Sequence, residues 1–212
     1  MVSQARAEAT RHAIVAAAVE QFEKTGYGNT ALIDIIDRAH MPKGGFYYHF
    51  PTKEDLAAGI IEHANQALGA ALRDILAFPS PMLENLIRAS FVVADMMRHD
   101  STVRMGYQLR QALDQVSTAG RSALVQRRDV IVGAVETAIA QGDLANDIDA
   151  EEVGHTIWAS ILGTHLLVAA SDDNIFARLA QQWRVILPGI VAPEALPYLK
   201  ELVARMEKHY TQ

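Results

Sequence analysis

The chain has 212 residues, no cysteine and a formal net charge of −6, and half of its residues are apolar. This composition predicts a globular protein with a sizeable core and excludes disulfides, thiolate metal sites and thiol nucleophiles. The charge is uneven, since residues 1–53 carry +1 and the remainder carries −7. Any contact with nucleic acid must therefore be local to the first quarter of the chain.

The first quarter of the chain shows apolar residues at helical spacing. This spacing predicts a helix over about 5–25, and Gly26, a typical helix end, predicts where it stops. Two short helices follow within residues 30–50, on either side of a tight break at His40 and Met41. Two short helices joined by such a break are typical of a helix-turn-helix, whose second helix can enter a DNA major groove.

Helical periodicity continues to the C-terminus, and no alternating run is long enough to predict a strand. The fold class is therefore all-α, with a three-helix helix-turn-helix domain over 1–52 and a larger helical ligand-binding and dimerisation bundle over 53–212. The boundary falls inside the long helix that begins at Thr52, so the two parts are mechanically joined. The predicted helices of the larger part span about 52–77, 82–98, 101–115, 120–141, 150–170, 173–187 and 194–209.

Several polar residues are predicted to cap these helices. Thr52, with Asp55 three positions further on, resembles a capping box at the start of the long helix. Asp149 is predicted to cap the helix that begins near residue 150, and Ser171 or Asp172 the next one. The turn before the last helix is expected to be bracketed by prolines, Pro188 and Pro193.

The second short helix carries the side chains that DNA recognition requires. Lys43 supplies positive charge, while Gly44 and Gly45 remove bulk, so that the backbone can approach the sugar-phosphate chain closely. Tyr47 and His49 offer hydrogen-bond donors. Lys53, in the first turn of the next helix, is assigned as a phosphate contact. Phe46 and Phe50 are assigned as core residues.

The same segment resembles the N-terminal domain of the TetR family of bacterial transcriptional regulators. The resemblance implies a homodimer that binds operator DNA, a ligand pocket in the larger bundle, and release of DNA on ligand binding. The matching residues are Gly26-Tyr27, Thr30, Ile35-Ile36 and Lys43-Gly44-x-x-Tyr47-x-His49-Phe50-x-x-Lys53-x-x-Leu56. The residues implied to lie at the DNA are Pro42, Lys43, Gly44, Gly45, Tyr47, His49 and Lys53.

A closer resemblance is to the γ-butyrolactone receptor branch of that family, the quorum-sensing repressors of actinomycetes. It rests on RAEATRHAIVAAAVEQFEKTGY, KGGFYYHFPTKEDLAAGI and QGDLANDIDAEEVGHTIWASILGTHLL. Similar receptors have a tryptophan before the QGD segment, where this chain has Arg127 and Arg128. The inducer is expected to be a small, mostly apolar signalling molecule, and this departure leaves its identity open.

Three further positions depart from the family pattern. Pro42 stands where Ser or Thr commonly starts the second helix, and it is expected at the first helical position. His40 stands where the turn usually has Gly, although His tolerates the left-handed conformation better than most residues. Ala31 stands where a capping Ser or Thr is common, so that Thr30 or Asn29 is expected to cap the first of the two short helices.

Bulky and adaptable side chains in the larger bundle are candidates for the ligand pocket. Ordinary core packing is the alternative for each of them. Dimerisation is expected to use the helices around Val153–Ala170 and Leu196–His209, because small residues over 159–163 allow close approach. The pocket candidates are Leu86, Met105, Tyr107, Gln108, Trp158, Leu162 and His165.

Other classes of function find less support in the sequence. The acidic run from Asp147 to His155 could suggest a metal site, but helix capping explains it without a metal. The apolar stretch over 153–170 approaches the length of a membrane span, and a buried helix is the favoured interpretation. No catalytic motif is present, so neither an enzyme nor a cofactor is expected. The N-terminus has no apolar signal core, and we expect a cytoplasmic protein that does not contact membranes.

The competing hypothesis is a TetR-like binding module that responds to another apolar ligand or to a protein partner, with altered or lost operator recognition. Weak DNA binding by an otherwise folded dimer would favour that hypothesis.

Overall fold

Ten α-helices, and no strand, make up the part of the chain that the structure describes. The structure is a computed structural model that describes residues 2–114, 118–145, 147–171 and 173–212. The all-α prediction is confirmed. The helices are α1 Val2–Thr25, α2 Leu32–Arg38, α3 Lys43–His49, α4 Lys53–Leu76, α5 Met82–His99, α6 Ser101–Asp114, α7 Thr118–Gln141, α8 Ala150–Ser171, α9 Ile175–Ile190 and α10 Leu196–Thr211.

Several predicted helix ends have the expected chemistry. Gly26 and Gly142 adopt φ of 79° and 81°, the left-handed conformation that ends α1 and α7. The Asp149 carboxylate accepts the N–H of Glu152 at 2.9 Å, which confirms its capping role at α8. Capping therefore accounts for one carboxylate of the acidic run without a metal ion.

The expectations for α9 are wrong at both ends. The Asn174 carboxamide oxygen accepts the N–H groups of Phe176 and Ala177 at 2.9 and 3.2 Å, so Asn174 is the cap. Ser171 belongs to α8, and Asp172 lies outside the described residues. At the other end Pro188 lies within the last turn of the helix, which continues to Ile190. Proline has no N–H, so the helix continues there without the hydrogen bond that residue 188 would otherwise donate.

Contacts divide the chain into two compact units. The first comprises the described residues of Met1–Leu68 and Met97–Ser117, and the second those of Gly69–Met96 and Thr118–Gln212. The first unit thus extends beyond residue 52 and includes α6, which the linear division at 52 assigns to the larger bundle. The assignment of DNA binding to residues 1–52, and of ligand binding and dimerisation to residues 53–212, stays a prediction.

The core of the first unit joins α1, the two short helices, the first half of α4 and α6. Met105 and Leu109 bring α6 into this core. Arg104 adds polar contacts, since its guanidinium binds the Glu23 carboxylate of α1 at 2.6 Å and donates to the Met97 carbonyl oxygen at 3.1 Å. The main buried residues of this core are Ile14, Ala18, Phe22, Ile35, Ile36, Phe46, Phe50, Leu56, Ile60, Met105 and Leu109.

The core of the second unit is built by α5 and α7–α10. Trp183 is fully buried at its centre, and its indole N–H donates to the Ser90 hydroxyl at 2.9 Å. The rings of Phe91, Phe176 and Tyr210 stack nearly parallel in the same core. A buried indole needs a hydrogen-bond partner, and the serine of α5 provides it.

The apolar helix α8 is more exposed than expected. Only Gly154, Ile157 and His165 are buried, although Gly154 packs closely on Val132 of α7. The prediction of a buried helix is therefore wrong for the single chain. Among the described residues, α8 is the one helix whose length and composition would also suit a membrane span.

We predict that Gly106→Ala destabilises the protein. A Cβ at this position of α6 would lie 2.4 Å from the Ala64 Cβ and 2.8 Å from the Ile60 carbonyl oxygen of α4. Overpacking of this kind costs about 1–3 kcal/mol. Thermal and urea unfolding measure the loss. Gly133→Ala in α7 is the control, since nothing lies within 4 Å of its added Cβ. Equal stability of the two variants would contradict the close α4–α6 contact.

Candidate nucleic-acid interface

The turn between α2 and α3 is formed by His40 in the left-handed conformation. Its φ is 50°, the one positive value outside glycine in the described residues. The N–H of Ala39 donates to the Ile35 carbonyl oxygen at 2.8 Å, and that of His40 to the Asp37 carbonyl oxygen at 3.2 Å. The histidine thus adopts the conformation that the family pattern supplies with glycine.

Pro42 caps α3 and does not occupy its first turn. Its φ of −62° and ψ of 137° are those of an extended N-cap residue, one position earlier than expected. Its carbonyl oxygen accepts the N–H groups of Gly45 and Phe46 at 3.0 and 3.2 Å. No side-chain hydrogen bond caps the helix, because proline has no donor or acceptor beyond its backbone.

The buried and exposed faces of α3 separate as the sequence suggests. Phe46 and Phe50 are 0% and 3% exposed in the core of the first unit, which confirms their packing role. His49 is half-buried. The residues with open surface are Pro42, Lys43, Gly44, Gly45, Tyr47 and Tyr48.

Tyr48 is an exposed residue that the sequence interpretation missed. Its side chain is 83% exposed, against 47% for Tyr47, whose ring packs edge-on against Phe46. Tyr48 lies three and four residues after Gly45 and Gly44, so it shares a helix face with the two glycines. That spacing is a signal that could have identified it. A large exposed aromatic beside two glycines forms an amphipathic surface with a hydroxyl donor.

The Lys53 ammonium group is held by backbone oxygens of the α1–α2 connection. It donates to the carbonyl oxygens of Tyr27 and Thr30 at 2.9 and 3.0 Å, and it lies 4.5 Å from the centroid of the Tyr27 ring. An ammonium has three donors, so one remains for another acceptor. The phosphate contact stays a prediction, and positioning of this connection is a further role of Lys53.

The residues expected to cap α2 instead complete the end of α1. The Thr30 hydroxyl donates to the Gly26 carbonyl oxygen at 2.8 Å, and the Asn29 carboxamide donates to the Thr25 carbonyl oxygen at 3.2 Å. The expectation that either caps α2 is wrong. Ala31 cannot cap through its side chain, but its N–H donates to the Asp34 carboxylate at 3.1 Å, the acidic half of a capping box.

The start of α4 agrees with the sequence. The Thr52 hydroxyl accepts the N–H of Asp55 at 3.0 Å, which confirms Thr52 as the cap. The same hydroxyl donates to the Asp55 carboxylate at 2.7 Å, so the reciprocal bond is between side chains. This cap fixes the beginning of the helix directly after α3.

The predicted pocket residues fall into both compact units. Tyr107 is buried, with the Arg110 guanidinium 5.1 Å from the centroid of its ring, and burial raises the pKa of its hydroxyl. Burial also lowers the pKa of His165 to about 4, so its imidazole is neutral at neutral pH. Met105, Tyr107 and Gln108 belong to the first unit, and Leu86, Trp158, Leu162 and His165 to the second.

Burial separates these pocket candidates further. Met105 and Leu86 are packed in the cores of their respective units, whereas Gln108 is exposed. Trp158 is half-buried against the second core. Met105 and Leu86 have the surroundings of ordinary core residues, the alternative considered for each candidate. Their ligand role stays a prediction.

The helix-turn-helix and the all-helical second unit define a class of protein, the helix-turn-helix regulators. Comparison with known families specifies the family. Residues 14–60 match the model of bacterial regulatory proteins of the tetR family, and residues 80–192 match that of the tetracyclin repressor-like C-terminal domain. The chain belongs to the TetR family, as its sequence predicts.

Individual relatives are similar over nearly the whole chain. The A-factor receptor protein of Streptomyces griseus is 29% identical over 94% of this chain and 70% of its own length. A crystal structure of a gamma-butyrolactone receptor (ArpA-like protein) superimposes with a TM-score of 0.80 at 29% identity, covering 96% of this chain and 98% of the other. CprB from Streptomyces coelicolor, solved in complex with its biological operator sequence, has a TM-score of 0.79 at 31% identity, covering 96% and 99%.

We predict that Lys53→Met destabilises the first unit, whereas Lys43→Ala does not. The first substitution leaves two carbonyl oxygens without their charged donor, a loss of about 1.5–3 kcal/mol. Lys43 is exposed and makes no comparable contact among the described residues. Urea unfolding followed by circular dichroism measures both variants. An unchanged midpoint for Lys53→Met would show that its backbone contacts contribute nothing.

Proposed function

We propose that the chain is a homodimeric transcriptional repressor that binds a near-palindromic operator and is released by a small, mostly apolar signalling molecule. γ-Butyrolactone-type autoregulators are the first ligand class to test, because the relatives include receptors of that name. The protein acts by binding, not as an enzyme, in the cytoplasm.

The observation that carries this proposal is the open surface of α3. Lys43, Tyr47 and Tyr48 stand exposed beside the two glycines, while the buried aromatics of the same helix fix it to the core. A helix presented in this way can approach base edges and phosphates in a major groove. The operator complex of the similar CprB supports the assignment.

The net charge of the chain defines how it binds DNA. Outside residues 1–53 the chain carries −7, so bulk electrostatic attraction does not hold it on the duplex. Affinity depends on a few local contacts from each protomer, and two protomers double their number. Binding of this kind weakens steeply with salt.

Dimerisation uses α8 together with α9 in this proposal. Leu167 of α8 and Val185 of α9 are 71% and 75% exposed. The two helices are joined by a short connection and are linked by the Thr164 hydroxyl, which donates to the Gln182 carboxamide oxygen at 2.9 Å. Apolar surface of this kind on neighbouring helices favours burial against a second copy.

The outer face of α10 has a different character from that of α9. Four of its apolar side chains, those of Leu199, Leu202, Val203 and Met206, are buried in the second core, and its exposed residues include four charged ones. We therefore replace α10 by α9 in the dimer surface expected from the sequence. The charged and exposed residues of α10 are Lys200, Glu201, Arg205 and Lys208.

The proposed release of DNA uses α4 and α5, the helices that contribute residues to both units. The first two thirds of α4 and all of the described α6 belong to the first unit, while the last third of α4 and most of α5 belong to the second. A ligand that prefers one arrangement of the second unit shifts the population of α4 and α6 positions by its differential affinity. The spacing of the two α3 helices, which must match about one DNA turn or a multiple, changes with them.

We predict that Lys43→Ala, Tyr47→Ala and Tyr48→Ala each weaken DNA binding about tenfold, which is about 1.4 kcal/mol. Fluorescence anisotropy measures the affinity, on a duplex that the wild-type protein selects from a random-sequence library. Lys43→Ala should also lower the salt slope by about two, because it removes one phosphate contact from each protomer of the dimer. Lys200→Ala on α10 is the control. Wild-type affinity in all three variants would refute the assignment of α3 as the DNA-reading helix.

We predict that Leu167→Glu and Val185→Glu convert the dimer to a folded monomer. Each places a charge on a surface that the proposed dimer buries, and burying an unpaired charge is costly. Sedimentation velocity measures the assembly state, and circular dichroism checks the fold. Ala204→Glu, on the outer face of α10, is the matched control and should stay dimeric. Dissociation of Ala204→Glu alone would contradict this proposal and would show that α10 forms the dimer interface.

A further inference from the structure

An open cleft of about 490 Å³ lies on the second unit, where the loop between α4 and α5 faces the end of α7. Its walls include Phe78, Pro79, Pro81 and Met82 on one side, with Gln141 and Asp143 on the other. The volume falls in the range of small-molecule sites. None of the DNA contacts, pocket candidates or proposed dimer residues lines it.

The backbone of the loop that lines this cleft is held by hydrogen bonds from a buried side chain of α5. Asn85 is fully buried, and its carboxamide donates to the carbonyl oxygens of Phe78 and Ser80 at 2.9 and 3.3 Å. The Ser80 N–H also donates to the Phe78 carbonyl oxygen at 2.8 Å. The backbone of the loop is thus held in place, while the Phe78 side chain stays 61% exposed. A fixed backbone with an exposed aromatic ring is a preorganised apolar wall.

The opposite wall is polar and caps α5. The Gln141 carboxamide oxygen accepts the Met82 N–H at 2.8 Å, and one Asp143 carboxylate oxygen accepts the Leu83 N–H at 3.3 Å. A carboxylate has two acceptor oxygens, so the second remains able to accept a donor. No Lys or Arg in the described ranges forms an ion pair with Asp143.

We propose that this cleft binds small organic ammonium ions with an aromatic or apolar body. The Asp143 carboxylate supplies the charge complement and an acceptor for the ammonium N–H groups. The Phe78 ring and the two prolines supply apolar surface, and an aromatic ring also attracts a cation to its face. Two kinds of interaction in one cleft thus favour a cation over a neutral or anionic ligand.

A bound ammonium ion connects three helices of the second unit. The loop after α4, the start of α5 and the end of α7 all line the cleft. The ligand therefore stabilises the second unit at the end of α4. This site does not depend on the proposed DNA function, and each can fail without the other.

The test uses phenethylammonium as the probe and 2-phenylethanol as its neutral counterpart. Isothermal titration calorimetry on the full chain should show saturable binding of the ammonium ion and at least tenfold weaker binding of the alcohol. Asp143→Asn should weaken ammonium binding at least tenfold, since it removes the charge but keeps an oxygen for the Leu83 N–H. Phe78→Ala should weaken it about fivefold. This exposed side chain can be removed without loss of the fold.

The controls separate this cleft from other sites. Asp147→Asn removes an exposed carboxylate that does not line the cleft, and it should bind phenethylammonium as the wild type does. DNA affinity without ligand should be unchanged in the Asp143 and Phe78 variants. Absence of saturable binding, equal binding of the alcohol, or wild-type binding by both variants would overturn the proposal.

Discussion

The burial of Phe46 and Phe50 is the constraint on which the exposed surface of α3 depends. Helix α3 has only seven residues, and an isolated helix of that length is not stable in water. Its conformation is therefore imposed by the two aromatic rings packed in the first core, by the left-handed His40 before it and by the Thr52 cap after it. The exposed residues of α3 can vary in chemistry because none of them has to hold the helix in place.

The same core joins α3 to α1, α4 and α6. Helix α6 contributes Met105 and Leu109 to it, and Arg104 connects α6 with Glu23 of α1. The contact of Gly106 with α4 leaves no room for even a methyl group between the two helices. Close-packed interiors do not deform continuously. A displacement of α6 must therefore carry α1 and α4 with it, and the proposed release of DNA depends on such a coupled movement.

Local chemistry was sufficient to predict most helices and several caps, because each of these depends on residues within one or two turns. Asp149, Thr52 and Gly26 are such cases. Long-range contacts were not predictable in this way. Lys53 and Tyr27 lie 26 positions apart, and their contact depends on how α1 meets α4. The Tyr48 surface could have been found from its spacing to the glycines, whereas the grouping of α6 with the first unit has no local signal.

The exposure of α8 follows from a second kind of long-range effect. Its composition is that of a buried helix, yet in the single chain only three of its residues are buried. Exposed apolar surface on α8 and α9 carries a free-energy cost that burial against another molecule would remove. The charged outer face of α10 would oppose such burial, because its lysines and carboxylates would lose their hydration. In the proposed dimer, apolar residues of this sequence lie either in the core of one chain or in the contact between two chains, and hydropathy alone does not separate the two groups.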